Sequence, residues 1–432
     1  MDQVSLEFVK KIMARIITAG FDQAEVQIVN EHMTEMQVDF SDFSLLRNTE
    51  CDQIILRGTM GGRFATIMLN QLDEVNLQTG IALLQEAAQA APVDSARTFA
   101  PSQLVPMNEM GPLEPLHYQM HERVSQFLKS VGESYPECML KQSLLRYIRT
   151  RTLRANTQGL EIDSTEGCYN HGVRFLSKRN GKTSSINYSG AYANDLEVEL
   201  LEWGGLRRAI ESSSREIAVV PFTGKLEGPI VIGPEAFSVL LNFWLAHLRD
   251  DRIISGTSKF RNSLDKPVAS PLLTVGIEPR NPSFARQEFM TEDGYGSEPS
   301  VILQNGILKS FMLSDYGAKK TNLPRSVNSG QNWVINGGSK SLVDLFGDVE
   351  NGLFLGRLSG GMPAANGDFS IVAKNSFLIE SGFISKPVSE LIVSGNLFQI
   401  MSAITSVSRE RSIDGMTMIP WVVVEGMTAV GR

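Results

Sequence analysis

The chain has few cysteines and no long apolar run. Only Cys51, Cys138 and Cys168 occur in 432 residues, far apart and odd in number, with no CxxC and no Cys/His cluster. Neither a disulfide framework nor a cysteine-based zinc site follows from them. No segment reaches the roughly eighteen consecutive apolar residues of a membrane-spanning helix. The start, Met1-Asp2-Gln3, leads into an amphipathic stretch with Glu7, Lys10, Lys11 and Arg15. That differs from the basic start and uninterrupted apolar run of a signal peptide, so a cytoplasmic, soluble protein is expected. Positive charge is not in excess either. At a net charge of −8 the molecule has no electrostatic case for binding nucleic acid directly, nor an anionic membrane.

Several motifs are also missing. There is no GxxxxGK[ST] and no Rossmann glycine fingerprint opening a βαβ unit, so nucleotide binding has little support. GxSxG is absent, and His32, His171 and His247 give no local context for the base that a serine nucleophile needs.

What is present is an ordinary globular composition, 42% hydrophobic and 20% charged, with length for about two or three domains. The expected fold class is α+β. A helix over Val4–Ala19, half-buried strands at Ala24–Ile28 and Met36–Phe40, a hairpin across Met60-Gly61-Gly62 and a helix through Leu77 to Ala88 make an N-terminal unit, 1–92. Pro92, Pro101, Pro106 and Pro112 mark a linker over 93–112. A second helix–strands–helix unit over 113–218 parallels the first, with Asn180-Gly181 as a hairpin signal and Gly204-Gly205 weakening a helix over Asp195–Ile217. The remainder, 219–432, reads as a β-rich domain with a few packed helices. Hairpins are expected there at Asn305-Gly306 and Ser381-Gly382, and helices at Asp315–Lys320, Lys340–Phe346 and Leu397–Val407. Its pillar starts at Pro234: Phe237, Leu240, Leu241, Trp244, Leu245 and Leu248 form one broad apolar face at helical period.

Three constellations have both a chemical and a structural reading. His117 and His121 lie four apart on a helix beside Glu122, but the glutamate is not next to the first histidine as in HExxH, and no third ligand is evident. A solvated flank is the default. Arg146, Arg149, Arg151 and Arg154 make a locally basic strand, which in an acidic chain reads as an ion-paired sheet surface or partner contact. Gly360-Gly361 and Asn366-Gly367-Asp368 bracket a loop in which close glycines let backbone approach a ligand or another strand; tight turns are the plainer reading.

An ordered set of segments resembles a known family. Leu358-Ser359-Gly360-Gly361, Asn366-Gly367-Asp368-Phe369-Ser370, Phe377-Leu378-Ile379-Glu380-Ser381-Gly382, Pro387-Val388 and Ser394-Gly395-Asn396-Leu397 closely resemble the TldD/PmbA family, described as modulators of DNA gyrase and as peptidases. Gly20-Phe21-Asp22-Gln23-Ala24-Glu25-Val26, Gly256-Thr257-Ser258-Lys259-Phe260 and Glu292-Asp293-Gly294 agree. In that family the TldD-type subunit carries HExxxH at a helix start and a cysteine ligand near the C-terminus, and the PmbA/TldE-type subunit lacks them. By resemblance the equivalent stretch here is Pro234 to Val239: the glutamate survives as Glu235, while Pro234 and Val239 stand at the histidine positions.

The resemblance therefore implies a PmbA/TldE-like subunit with no catalytic, cofactor or metal residues of its own. Zinc is expected only in a TldD-type partner, with which this chain would form a heterodimeric metallopeptidase that trims unfolded or extended peptides. Gly360, Gly361, Asn366, Gly367 and Asp368 are the candidate cleft or partner-interface residues. A stand-alone homodimeric binding protein without peptidase activity remains the alternative, as does an enzyme built on residues not grouped here.

Overall fold

The computed structural model describes residues 4–103, 109–389 and 391–431. The Met1-Asp2-Gln3 start and Pro106 of the expected linker lie outside the described residues.

The first sheet has eight strands. Arg63–Leu69, Asp42–Met60, Gln23–Asp39, Cys138–Asn156 and Glu161–Arg179 follow one another, and Asn187–Ala193 and Glu109–Met110 both pair with the last. Gln23–Asp39 is one continuous strand where two were expected. Ala24, Val26 and Ile28 pack under helices Leu6–Thr18 and Glu74–Ala90, whereas Met36 and Val38 pack under helix His117–Ser134. All five positions are even-numbered and so point to one face. The polar centre, Asn30 to His32, interrupts the apolar alternation but not the strand, because pairing runs unbroken from Glu25↔Asn156 to Val38↔Ser143. Segments 1–92 and 113–218 are therefore two halves of a single sheet, each with its own helix cover.

The basic strand divides its charges between the two faces: Arg149 and Arg151 point to the helix-covered side, opposite His32 and Asn30, and Arg146 and Arg154 to the other. All four arginines of the basic strand are ion-paired: Arg146 with Glu35, Arg149 with Glu114 at 3.1 Å, Arg151 with Asp163 at 2.9 Å and Arg154 with Glu25 at 2.8 Å.

The expected helix over Asp195–Ile217 is broken. A 3-10 segment, Leu200–Gly205, leaves helical geometry at Trp203 and turns through Gly204 and Gly205, both at positive φ, before helix Leu206–Arg215 begins. The chain then passes to the second sheet at Val220–Pro221. That sheet has fourteen strands, is largely antiparallel, and has Met418–Val424 near its centre, buried at every position. Helix Pro234–Ala246 lies against it, with Phe237, Leu240, Leu241, Trp244 and Leu245 almost fully buried. Ser258 Oγ donates to the His247 carbonyl at 2.6 Å and Phe260 packs against Trp244 with ring centres 4.6 Å apart and planes tilted by 44°, so the Gly256–Phe260 segment seals the far end of this helix. Only Leu397–Ser402 of the expected helix over Leu397–Val407 is helical. Strand Ile404–Ile413 follows, since Ile404, Thr405 and Val407 are β-branched and suit a pleated surface. The architecture is α+β with a β-rich C-terminal part.

Candidate functional site

The pillar helix opens onto a cleft. Strand Ile230–Ile232 runs between Asn351–Ser359, parallel, and Met418–Val424, antiparallel. Gly233 follows, its N–H donating to the Leu355 carbonyl at 2.9 Å, and Pro234 takes the first helical position, where a missing N–H costs nothing. Pro234, Glu235, Ser238 and Val239 thereby line a cavity of about 530 Å³. The other walls come from both sheets. Strand Asn187–Ala193 contributes Asn187, Tyr188, Ser189 and Gly190; helix Leu206–Arg215 contributes Arg208, Ser212 and Arg215; the second sheet contributes Arg357, Asn375, Phe377, Asp414 and Trp421. Strand Asn187–Ala193 pairs with Glu161–Arg179 alone among the described strands; its other edge is capped at Tyr192, whose N–H donates to the Asp414 carbonyl at 2.8 Å, and no strand covers it from Asn187 to Ser189 beside the cleft.

Three guanidiniums dominate the walls. Arg208 lies over Trp421 at 5.2 Å from the ring centre, Arg215 over Phe377 at 4.9 Å and Arg357 over Tyr188 at 4.9 Å. Their hydrogen bonds among the described residues are few: Arg208 to Ser412 Oγ at 3.1 Å, Arg215 to the Ile384 carbonyl at 3.1 Å, and Arg357 to the Ile186 carbonyl at 2.8 Å. Arg357 Nε and Nη1 are buried without partners, as are Asn375 Oδ1 and Glu216 Oε1.

The acids are differently disposed. Glu235 reaches water, yet the protein around it excludes enough solvent to raise its carboxyl above the usual range; Arg208 opposes that rise and Asp414 adds to it. Asp414 is taken up by its own turn, accepting from Met416 N at 2.8 Å, Thr417 N at 2.7 Å and Thr417 Oγ1 at 3.0 Å. Glu211 accepts from Tyr135 Oη at 3.0 Å. Behind the wall, Glu216 is 3% exposed, and burial pushes its carboxyl up to about 7 against the opposing charge of Arg357.

Residues 223–431 match the model of the PmbA/TldA metallopeptidase C-terminal domain. A metalloprotease of Methanothermobacter thermautotrophicus is 28% identical over 253 residues, 55% of this chain and 53% of that protein. Metalloprotease PmbA of Escherichia coli O157:H7 is 26% identical over 209 residues, 46% of each chain. Residues 223–431 carry the C-terminal domain of the TldD/PmbA family. The chain's matches span about half the length of these curated relatives. Two crystal structures share the fold over almost the whole length. TldE from Thermococcus kodakarensis superposes with a TM-score of 0.85 at 18% identity, covering 99% of this chain and 100% of that one. A Bacteroides thetaiotaomicron protein described as a candidate modulator of DNA gyrase gives 0.86 at 20% identity, with 99% and 98% covered.

The family's zinc does not fit the donors in this cleft. Pro234 and Val239 offer no lone pair, Asp414 and Glu211 are already engaged, and Glu235 alone cannot supply the three protein ligands of a catalytic zinc. The loop expected to face a cleft or a partner is not part of this cleft. Asp368 accepts from Asn366 Nδ2 at 2.7 Å and Asn396 Nδ2 at 2.8 Å, which ties the turn to the start of helix Leu397–Ser402. Gly360, Gly361, Asn366, Gly367 and Asp368 are not among the residues lining the Glu235 cleft. His121 stacks on Phe43 at 4.7 Å, on the surface helix and away from this cleft.

Sequence reasoning missed the arginines. Arg208 and Arg215 are seven apart and share a helical face, and Arg357 is a single charge inside the apolar run Phe354–Leu358. Both signals were readable. Their convergence was not, because it depends on how the two sheets meet.

Proposed function

We propose that this chain is the PmbA/TldE-type, zinc-free subunit of a two-subunit metallopeptidase acting in the cytoplasm on unfolded or extended peptides. A TldD-type partner supplies the metal. The observation that carries the reading is the cleft at Glu235: the helix start and the concavity are kept, while the positions that would hold ligands are filled by Pro234 and Val239. The strand-free edge at Asn187 to Ser189 supports peptide capture, since main-chain pairing with a sheet edge tolerates any sequence. Without a metal-bound water Glu235 has nothing to activate, so hydrolysis belongs to the partner.

Two exposed surfaces support association with a second subunit. Residues 42–53 of strand Asp42–Met60 lie beyond its pairing with Arg63–Leu69 and expose Phe43, Leu45 and Leu46. The turn at Gly360, Gly361 and Asn366 is exposed together with Met362. The ion-paired arginines argue for an effect on gyrase, if any, through proteolysis rather than DNA contact.

The test is co-purification with a TldD-type chain, followed by cleavage of an unstructured peptide and zinc analysis of each subunit. The expected result is a complex whose zinc follows the partner and whose activity needs both chains. Stoichiometric zinc in the isolated chain, with chelator-sensitive hydrolysis, overturns the reading. A homodimer that ignores the partner favours the stand-alone binding protein.

A further inference from the structure

We infer that the cleft at Glu235 is a carboxylate-recognition site, so that the peptides it selects carry an acidic side chain or a free C-terminus. The inference rests on the peptide-binding reading and adds a selectivity to it.

The charge pattern carries the argument. The molecule is acidic overall at −8, and the buried arginine of the other large cleft, Arg154, is neutralised there by Glu25, which also pairs with Arg57. In the Glu235 cleft Arg208, Arg215 and Arg357 come together and none forms an ion pair among the described residues. Of the acids nearby, Asp414 is bound to its own turn and Glu211 accepts from Tyr135, while Glu235 near Arg208 and Glu216 near Arg357 act on them through charge without forming an ion pair among the described residues. Each guanidinium lies over an aromatic ring, with its carbon 4.9–5.2 Å from the ring centre, which holds the charge in the wall of the cleft. Two N–H groups of Arg357 are already out of water without a partner, an arrangement that costs free energy until an acceptor arrives. Guanidinium donors that lack an ion-pair partner match a carboxylate.

The site is also placed for an extended chain. Tyr188, which carries Arg357 on its ring, belongs to the strand-free edge at Asn187 to Ser189 that borders the cleft. A peptide paired along that edge projects alternate side chains to one face, and a carboxylate among them meets the guanidiniums.

The experiment uses the full chain and four labelled decapeptides of one unstructured sequence: two internal glutamates or two glutamines, each with a free or an amidated C-terminus. Binding is read by fluorescence anisotropy at low and at high salt. A carboxylate-bearing peptide should bind about tenfold or more tighter than the neutral one, with the gap narrowing in salt. If amidation removes the preference, the terminal carboxylate is the group read; if glutamine removes it, side chains are. Arg208→Gln and Arg357→Gln should each erase most of the preference, and Arg215→Gln provides a third variant should one of them fail to fold. Equal binding of all four peptides overturns the carboxylate assignment and leaves peptide capture standing. A preference that survives all folded arginine variants overturns it too. Binding of none of the peptides overturns both readings.

Discussion

Arg154 Nη2 donates to Glu25 Oε1 at 2.8 Å, and the two residues are only 5% and 1% exposed. Arg57 Nη1 reaches the same oxygen at 2.8 Å. Arg154 Nη1 also donates to the Glu292 carbonyl at 3.1 Å, so one buried guanidinium ties the first sheet to the C-terminal half. Glu25 is thus the counter-charge for two arginines at the seam of the molecule.

Removing that counter-charge should be costly. Glu25→Ala leaves two guanidiniums desolvated without an anion, and a loss of about 3–5 kcal/mol in unfolding free energy is expected. Because Arg154 is buried, added salt should restore little of it. Urea unfolding at low and high salt measures both effects. A loss under about 1 kcal/mol, the size of an exposed pair, is incompatible with this account.

Glu216 sets a pH dependence. Its folded pKa is raised to about 7 by burial, above that of an unfolded glutamate, so the native state binds the extra proton. Stability from this group is complete below the unfolded pKa, declines as pH rises between that value and about 7, and is flat beyond it. The total is on the order of 3 kcal/mol. Glu216→Gln should flatten that slope and raise stability at pH 8, read from urea midpoints across pH 4 to 8. A wild-type-minus-variant difference that does not change with pH counts against the buried carboxyl.

Local pattern made much of this fold legible. The pillar helix was readable from six apolar residues at helical period and from Pro234, and the basic strand was readable as ion-paired because the chain is acidic. Misreadings arose where one element serves two surroundings. Asn30 to His32 look like a strand end, yet the strand runs on because its two halves meet different helices. Likewise Ile404–Val407 continues an apolar run from a helix, and only pairing with Met418–Val424 makes it a strand. Pro234, Glu235 and Val239 were found from family likeness and share one cleft. Arg208, Arg215 and Arg357 lie far apart in the chain and meet only through packing of the sheets.

The turn at Gly204 positions Arg208. Gly204 has φ +57°, and an added Cβ would lie 2.6 Å from the Ala191 Cβ on the cleft strand. Gly20, at φ +98°, has open space around an added Cβ. Gly20→Ala should therefore cost backbone strain alone, about 1–2 kcal/mol, and Gly204→Ala about 3 kcal/mol or more as strain and overlap combine. Thermal unfolding of both variants gives the order. The reverse order would mean that helix Leu206–Arg215 is not held against that strand.

The exposed stretch of strand Asp42–Met60 tests the assembly reading without touching the cleft. Leu46 is 62% exposed, and Phe43 beside it is pinned by its stack on His121, so an apolar edge is presented in a fixed shape. Single exposed apolar residues need no explanation, but here Phe43, Leu45 and Leu46 lie together on a strand that pairs with Gln23–Asp39 on one side and, among the described residues, with no strand on the other, an edge that proteins usually cover or blunt. Leu46→Glu should leave the stability of the isolated chain within about 0.5 kcal/mol, because the side chain is already in water. The same change should weaken association with a TldD-type chain, or with a second copy, by about tenfold or more, since it buries a charge against an apolar contact. Analytical ultracentrifugation of wild type and variant separates the two effects. Unchanged assembly with unchanged stability would remove this edge from the interface and leave the Gly360 turn to carry it.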